Sequence, residues 1–190
     1  MPKKSIKPAR ERLLKTANRL FYQEGLRATG IDLIISESGV AKMSFYRHFP
    51  TKNHLILAFL EQRHDNWMGW FHSAVEKRLE EPGTGLEVIA KALEEWFFEP
   101  AYRGCAFINA VAEGGMSVNP AIREVSVRHK AELEAYIVAL AKKLGFATPR
   151  QVAMEAMLIV EGMIVRYQMT ADPACIEGGA RLLAQCGQGR

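Results

Sequence analysis

A chain of 190 residues, 48% apolar and 24% charged, is long enough to bury a proper core and too apolar to be disordered. No apolar run approaches the roughly 18 residues that cross a bilayer. The basic opening MPKKSIKPAR leads into no apolar stretch, so no secretory signal is expected. The three cysteines, Cys105, Cys175 and Cys186, are too few and odd in number for a disulfide framework, and a reducing cytoplasm is the expected compartment.

The net charge of +4 conceals an asymmetry. Up to residue 52 the chain holds eleven lysines and arginines against four acids, a net of +7, whereas the remainder nets −3. A basic head on a mildly acidic body is the electrostatic footprint of a protein that grips nucleic acid with one end.

In chain order, Lys3, Lys4 and Lys7 precede a helix expected over residues 8–24. Its inward stripe is Leu13, Leu14, Ala17, Leu20 and Phe21. The lysines read equally as an arm reaching along DNA or as a solubilising tail. Gly25 ends the helix. Thr29 is placed to cap a second helix, with Asp32 completing a capping box. That helix turns Ile31, Ile34 and Ile35 inward and stops at Gly39 in a left-handed conformation. Val40 fills the turn, and a third helix over residues 41–48 buries Phe45 and Phe49. Pro50 closes it, because the residue before proline is pushed out of helical geometry. Thr51 then caps a fourth helix with Lys52 at its N-terminus. Two short helices around a glycine turn form a helix-turn-helix pattern, whose second helix enters the DNA major groove.

The stretch GLRATGIDLIISESGVAKMSFYRHFPTKNHLI further resembles the N-terminal signature of the TetR/AcrR family of bacterial repressors. The matching positions are Phe21, Gly25, Thr29, Ile34, Gly39, Val40, Phe45, Tyr46, His48, Phe49 and Lys52. Ile35 stands where the family usually has alanine, and Met43 where a small residue is commoner. The resemblance implies an all-α chain of about nine helices. Residues 1–52 would form the DNA-binding domain and residues 53–190 an effector-binding and dimerisation domain. It implies phosphate contacts from Thr29, Tyr46, His48 and Lys52. By helix position, Lys42, Met43 and Ser44 are the candidates for base edges, Lys for guanine and Met for a thymine methyl.

Beyond residue 52 the fourth helix is expected to run to Leu79, long enough to tie head to body. Its cluster Trp67, Trp70 and Phe71 reads as core or as the wall of an apolar ligand site. The loop EPGTG follows. Further helices are expected over 86–98, 104–115, 120–144, 149–169 and 173–185, with no sustained strand-like alternation. The helix over 149–169 is apolar nearly all round, so it is expected to be covered on more than one side, and Gly162 would admit another helix closely. By resemblance the last two helices make a four-helix dimer interface.

The effector set is completed by Phe97, Cys105, Asn109, Glu113, Met157 and Glu161. The polar members read either as hydrogen-bonded core or as groups orienting a ligand. Cys105 beside Arg103 resembles a thiol-sensing subgroup of the family, and it reads equally as a small buried hydrophobe. His64 and His72 lie eight apart, beyond the one-turn spacing of helical metal pairs, so no metal and no cofactor are expected. No nucleotide-binding glycine motif, catalytic triad order or CxxC is present. A small helical enzyme using Glu113 or Glu161 as acid-base would leave the basic head unexplained. The expectation is a non-enzymatic, homodimeric repressor that holds a palindromic DNA operator. A small apolar or aromatic effector would release it, with oxidation at Cys105 as the alternative trigger.

Overall fold

A computed structural model describes residues 8–187. The described residues form nine α-helices and no strand: α1 (Ala9–Glu24), α2 (Ile31–Ser38), α3 (Lys42–His48), α4 (Lys52–Leu79), α5 (Val88–Phe97), α6 (Ala106–Gly114), α7 (Pro120–Lys143), α8 (Pro149–Thr170) and α9 (Ala174–Gln185). The all-α expectation holds, and the helix ends fall within about two residues of those read from the sequence. Lys3, Lys4 and Lys7 lie outside the described residues.

Contacts within the chain define two units. The first runs to His64 and includes Ala106–Ser126; the second takes Asp65–Cys105 and Val127 onward. This division differs from the boundary expected at residue 52, because Leu55, Ile56, Phe59 and Leu60 of α4 are buried with the head. They join Leu13, Ala17, Leu20, Phe21, Ile34, Phe45 and Phe49 in one core, where the Phe21 and Phe59 rings tilt together at 5.6 Å.

Local chemistry sets the helix ends of the first unit. Gly39 takes φ +62° and its N–H returns to the Ser36 carbonyl, closing α2 as the sequence implies. Thr51 caps α4, with its hydroxyl accepting from His54 N–H at 3.4 Å. Asn119 starts α7 by accepting from Ala121 N–H at 2.9 Å, with Pro120 in the first turn.

The expected cap at Thr29 does not form. Gly30 occupies the N-cap of α2 with no side-chain cap bond, and Thr29 is fully buried. Its hydroxyl donates inward to the Gly25 carbonyl at 2.7 Å, with the Leu20 carbonyl at 3.3 Å. A threonine hydroxyl can satisfy itself on a preceding carbonyl as readily as on a following amide, and here the buried carbonyls win.

The second unit is built around aromatic rings. Trp67 stacks on Phe71 at 4.8 Å and meets Trp96 and His129 edge-on at 5.4 and 5.5 Å. Phe97 stacks on Tyr167 at 4.8 Å, and Tyr102 fixes this group by donating from its hydroxyl to the Ile164 carbonyl at 2.9 Å. Such edge and offset contacts each add about 0.5–1.5 kcal/mol beyond area burial. Helix α8 buries Val152, Ala156, Val160 and Ile164 on one side only. Met154, Leu158, Val165 and Met169 are left exposed on the other.

Candidate nucleic-acid interface

Helix α3 is anchored by two phenylalanines and displays the rest. Phe45 is 0% and Phe49 3% exposed, with ring centroids 6.3 Å apart. Arg10 lies over the Phe49 ring at 5.4 Å. Since 45 and 49 share one face, residues 43 and 47 point away from it and 46 lies to one side, while Lys42 stands at the open start of the helix. Met43 is 77% and Tyr46 41% exposed; Lys42 and Arg47 are exposed, and Ser44 and His48 half-buried. The Tyr46 ring stands edge-on to Phe45 at 5.1 Å, which fixes the direction of its hydroxyl. Lys42 Nζ lies 3.3 Å from Asp32 on the first turn of α2, an exposed pair worth little in stability.

The aim of α3 depends on its tie to α1. The Arg12 guanidinium donates from Nη1 to the carbonyls of Ser38 at 3.1 Å and Gly39 at 3.2 Å, so a cation sits on the C-terminus of α2. Arg19, two turns further along α1, pairs with Glu37. Sequence reasoning took only the apolar stripe from α1 and missed both arginines, whose partners are 26 and 18 residues distant.

Lys52, at the first position of α4, is half-buried. Burial pushes its ammonium below the ordinary lysine range, and the negative charge of Glu113 opposes that shift. Lys52, Arg27, Asn53 and Glu113 line a cleft of about 260 Å³ in the first unit. Of the seven residues expected at DNA, Lys42, Met43, Ser44, Tyr46 and His48 lie on α3 and Lys52 opens α4. Thr29 is turned inward, so its side chain is committed to the head's core rather than to a phosphate.

The residues expected around an effector divide between the units. Trp67, Trp70, Phe71 and Phe97 share the second unit's ring cluster, where Trp70 donates to Glu95 at 3.4 Å. Met157 is buried, and Glu161 pairs with Lys130 at 3.2 Å. Asn109 and Glu113 belong instead to the first unit, where Glu113 accepts from Arg27 N–H at 2.9 Å. Glu113 is therefore a partner of the head and not a polar group among apolar rings. Cys105 is only 4% exposed, and a thiol so enclosed is poorly open to oxidants or electrophiles, which counts against the sensing alternative. His72 and Tyr136 were not expected in the cluster. Their rings stack at 4.0 Å, and neither could be found by helical period because the pair joins α4 to α7.

A three-helix head with an apolar-anchored, cation-bearing third helix defines a helix-turn-helix DNA-binding protein. Residues 13–59 match the model of the bacterial regulatory proteins of the tetR family. Residues 13–59 are thus a TetR-family DNA-binding segment, and the chain is similar to DNA-binding transcriptional regulators of that family along nearly its whole length. It is 27% identical to the TetR-family regulator SCO4454 of Streptomyces coelicolor, with a TM-score of 0.82 over 95% of this chain and 94% of that one. A Lactococcus lactis helix-turn-helix regulator encoded in the lacX 3' region is 25% identical over 90% of this chain and 80% of its own length. The Bacillus subtilis regulator YerO is 46% identical over 52 residues, which span 27% of this chain and 18% of that protein. The likeness to YerO is thus one of a single short segment.

Proposed function

We propose that this regulator is a homodimeric, cytoplasmic repressor that holds a palindromic operator and is released by a mostly apolar, aromatic effector. The observation that carries the reading is the α3 face, with Lys42, Met43 and Tyr46 exposed on a helix pinned by Phe45 and Phe49. Lys42 and Met43 read base edges, while Tyr46, His48 and Lys52 hold phosphates.

Two copies are supported by the apolar face left on α8 and α9. Met154, Leu158, Met169 and Leu182 are each more than half exposed. A depression of about 580 Å³ runs between them, lined by Leu158, Gly162, Cys175, Gly178 and Leu182. Gly162 and Gly178 have open space above them, so a second helix can approach closely. Contiguous apolar surface of this kind marks a protein contact. A dimer presents two α3 helices to major grooves about 34–36 Å apart or a multiple of that.

Effector binding is supported by polar atoms inside the second unit. Trp67 Nε1, His72 Nε2 and the Tyr136 hydroxyl are buried with no hydrogen-bond partner. Groups of that kind in an aromatic setting suit a ligand that is apolar in bulk and carries a few polar atoms. To carry the repressor from mostly bound to mostly released, such a ligand must prefer the released form by about 5.5 kcal/mol.

Mobility-shift assays on DNA flanking the regulator's own gene test the reading. We expect a palindromic site occupied by two chains, with affinity falling steeply as salt rises. Native mass spectrometry of protein purified from cells is expected to reveal a retained small molecule that abolishes the shift. A chain that stays monomeric, or binds every duplex equally, overturns the proposal.

A further inference from the structure

Among the described residues, Glu113 is the only acidic one lining the cleft that also holds Lys52 and Arg27. Its carboxylate accepts from the Arg27 backbone N–H at 2.9 Å, a bond that spans 86 residues of sequence. The seat is shaped for it. Gly25 has φ +92°, and a β-carbon there would stand 3.1 Å from both carboxylate oxygens, tighter than ordinary contact. Glycine therefore serves two needs at this position, the backbone turn after α1 and the close approach of an anion. The same carboxylate acts electrostatically on Lys52, the cation at the N-terminus of α4. The Arg27 amide bonds this carboxylate and Lys52 shares its cleft, and backbone amides and lysines are the groups with which proteins hold phosphate.

We propose that Glu113 is a positioning residue for DNA binding: its carboxylate fastens the turn after α1 and offsets the Lys52 charge, so that α6 sets the strength of the head's phosphate grip. The inference rests on the reading of Lys52 as a phosphate contact. When a DNA phosphate reaches Lys52, it replaces an interaction the lysine already has, and net affinity is the difference between the two. Glu113 also has a second, separable role, because its hydrogen bond to Arg27 requires only an acceptor oxygen and no charge.

Glu113→Gln separates the roles, since the amide keeps an acceptor and loses the charge. The probe is a mixed-sequence DNA duplex, titrated with the full chain at several salt concentrations, with thermal unfolding measured in parallel. Glu113→Gln is expected to tighten binding about two- to five-fold with little change in melting temperature. Lys52→Met is expected to weaken binding and to flatten the log–log salt slope by roughly 0.9 per head. In the Lys52→Met background, Glu113→Gln is expected to change nothing. Glu113→Ala, which also removes the acceptor, is expected to lower the melting temperature.

Equal tightening by Glu113→Gln with and without Lys52 would mean that Glu113 repels DNA directly, and would overturn the proposal. Wild-type affinity in Glu113→Gln, with Lys52→Met still weakened, would overturn it while leaving the Lys52 reading intact. Unchanged affinity and salt slope in Lys52→Met would remove the phosphate contact itself, and the proposal with it.

Discussion

Arg12 Nη1 donates to the Gly39 carbonyl at 3.2 Å, so the first helix holds the turn from which the recognition helix departs. Gly39 is left-handed at φ +62° and its carbonyl lies past the end of α2, where no helical amide can reach it. The guanidinium satisfies it and the Ser38 carbonyl together. Arg12→Met is expected to cost about 1–2 kcal/mol, since a charged donor is lost from one partly buried and one exposed acceptor. The melting temperature should fall by several degrees for a chain of this size. Duplex affinity should fall with it as α3 loses its fixed aim, and Arg12→Lys should recover part of both. Unchanged stability in Arg12→Met would show that water serves the two carbonyls equally well.

Tyr46 and Met43 lie on the same helix but are expected to behave differently. Tyr46→Phe keeps the edge-on ring contact with Phe45 and removes only the hydroxyl. Affinity for all duplexes should fall by about 1 kcal/mol, roughly five-fold, at unchanged melting temperature. Met43→Ala removes a 77% exposed side chain that makes no charge contact. It should leave the salt slope untouched and alter preference at a single base pair of the operator. Binding to an operator panel and to mixed-sequence duplex distinguishes the two effects.

These residues also show what the sequence carried. The turn at Gly39, the Phe45–Phe49 anchor and the stop at Pro50 are local, set by helical period and by the conformational limits of glycine and proline. All nine helices were legible for that reason. Thr29 was misread because a threonine hydroxyl has two nearby backbone choices and sequence does not rank them. Arg12, Glu113 and the His72–Tyr136 stack were hidden for another reason. Each acts on a partner between 26 and 86 residues away, and no periodicity encodes such a distance. The exposed side of α8 was legible as an excess of apolar residues, more than one chain could cover.

That excess makes a direct prediction. Leu158 is 70% and Leu182 54% exposed, both lining the α8–α9 depression. Replacing both with glutamate places like charges across the proposed two-fold contact, where an isologous interface would have to bury them against themselves. Sedimentation velocity is expected to show a dimer for the wild-type chain and a monomer for the double variant. Circular dichroism should retain the helical signal, because neither side chain belongs to the chain's own core. Operator affinity should drop by far more than mixed-sequence affinity, since only the paired heads gain from two half-sites. A wild-type chain that sediments as a monomer would remove the dimer reading altogether.

His72 gives the second unit a pH dependence whose sign follows from its surroundings. Burial against Tyr136 holds its imidazole below the ordinary histidine range, and the charge of Glu76 opposes the shift without cancelling it. Glu76 is itself paired with Lys143 at 2.6 Å, and burial pushes the Tyr136 phenol up to about 12, so Tyr136 does not change charge near neutrality. As pH falls through about 6.5, the unfolded chain binds a proton at His72 that the folded chain does not yet accept. Stability contributed by the neutral ring is therefore present above that pH and lost on acidification, until the folded histidine also protonates. His72→Phe keeps a ring on Tyr136 and removes the proton. Its melting temperature should decline less than that of the wild type between pH 7 and about pH 5. Parallel decline in the two proteins would mean that the imidazole titrates equally in both states.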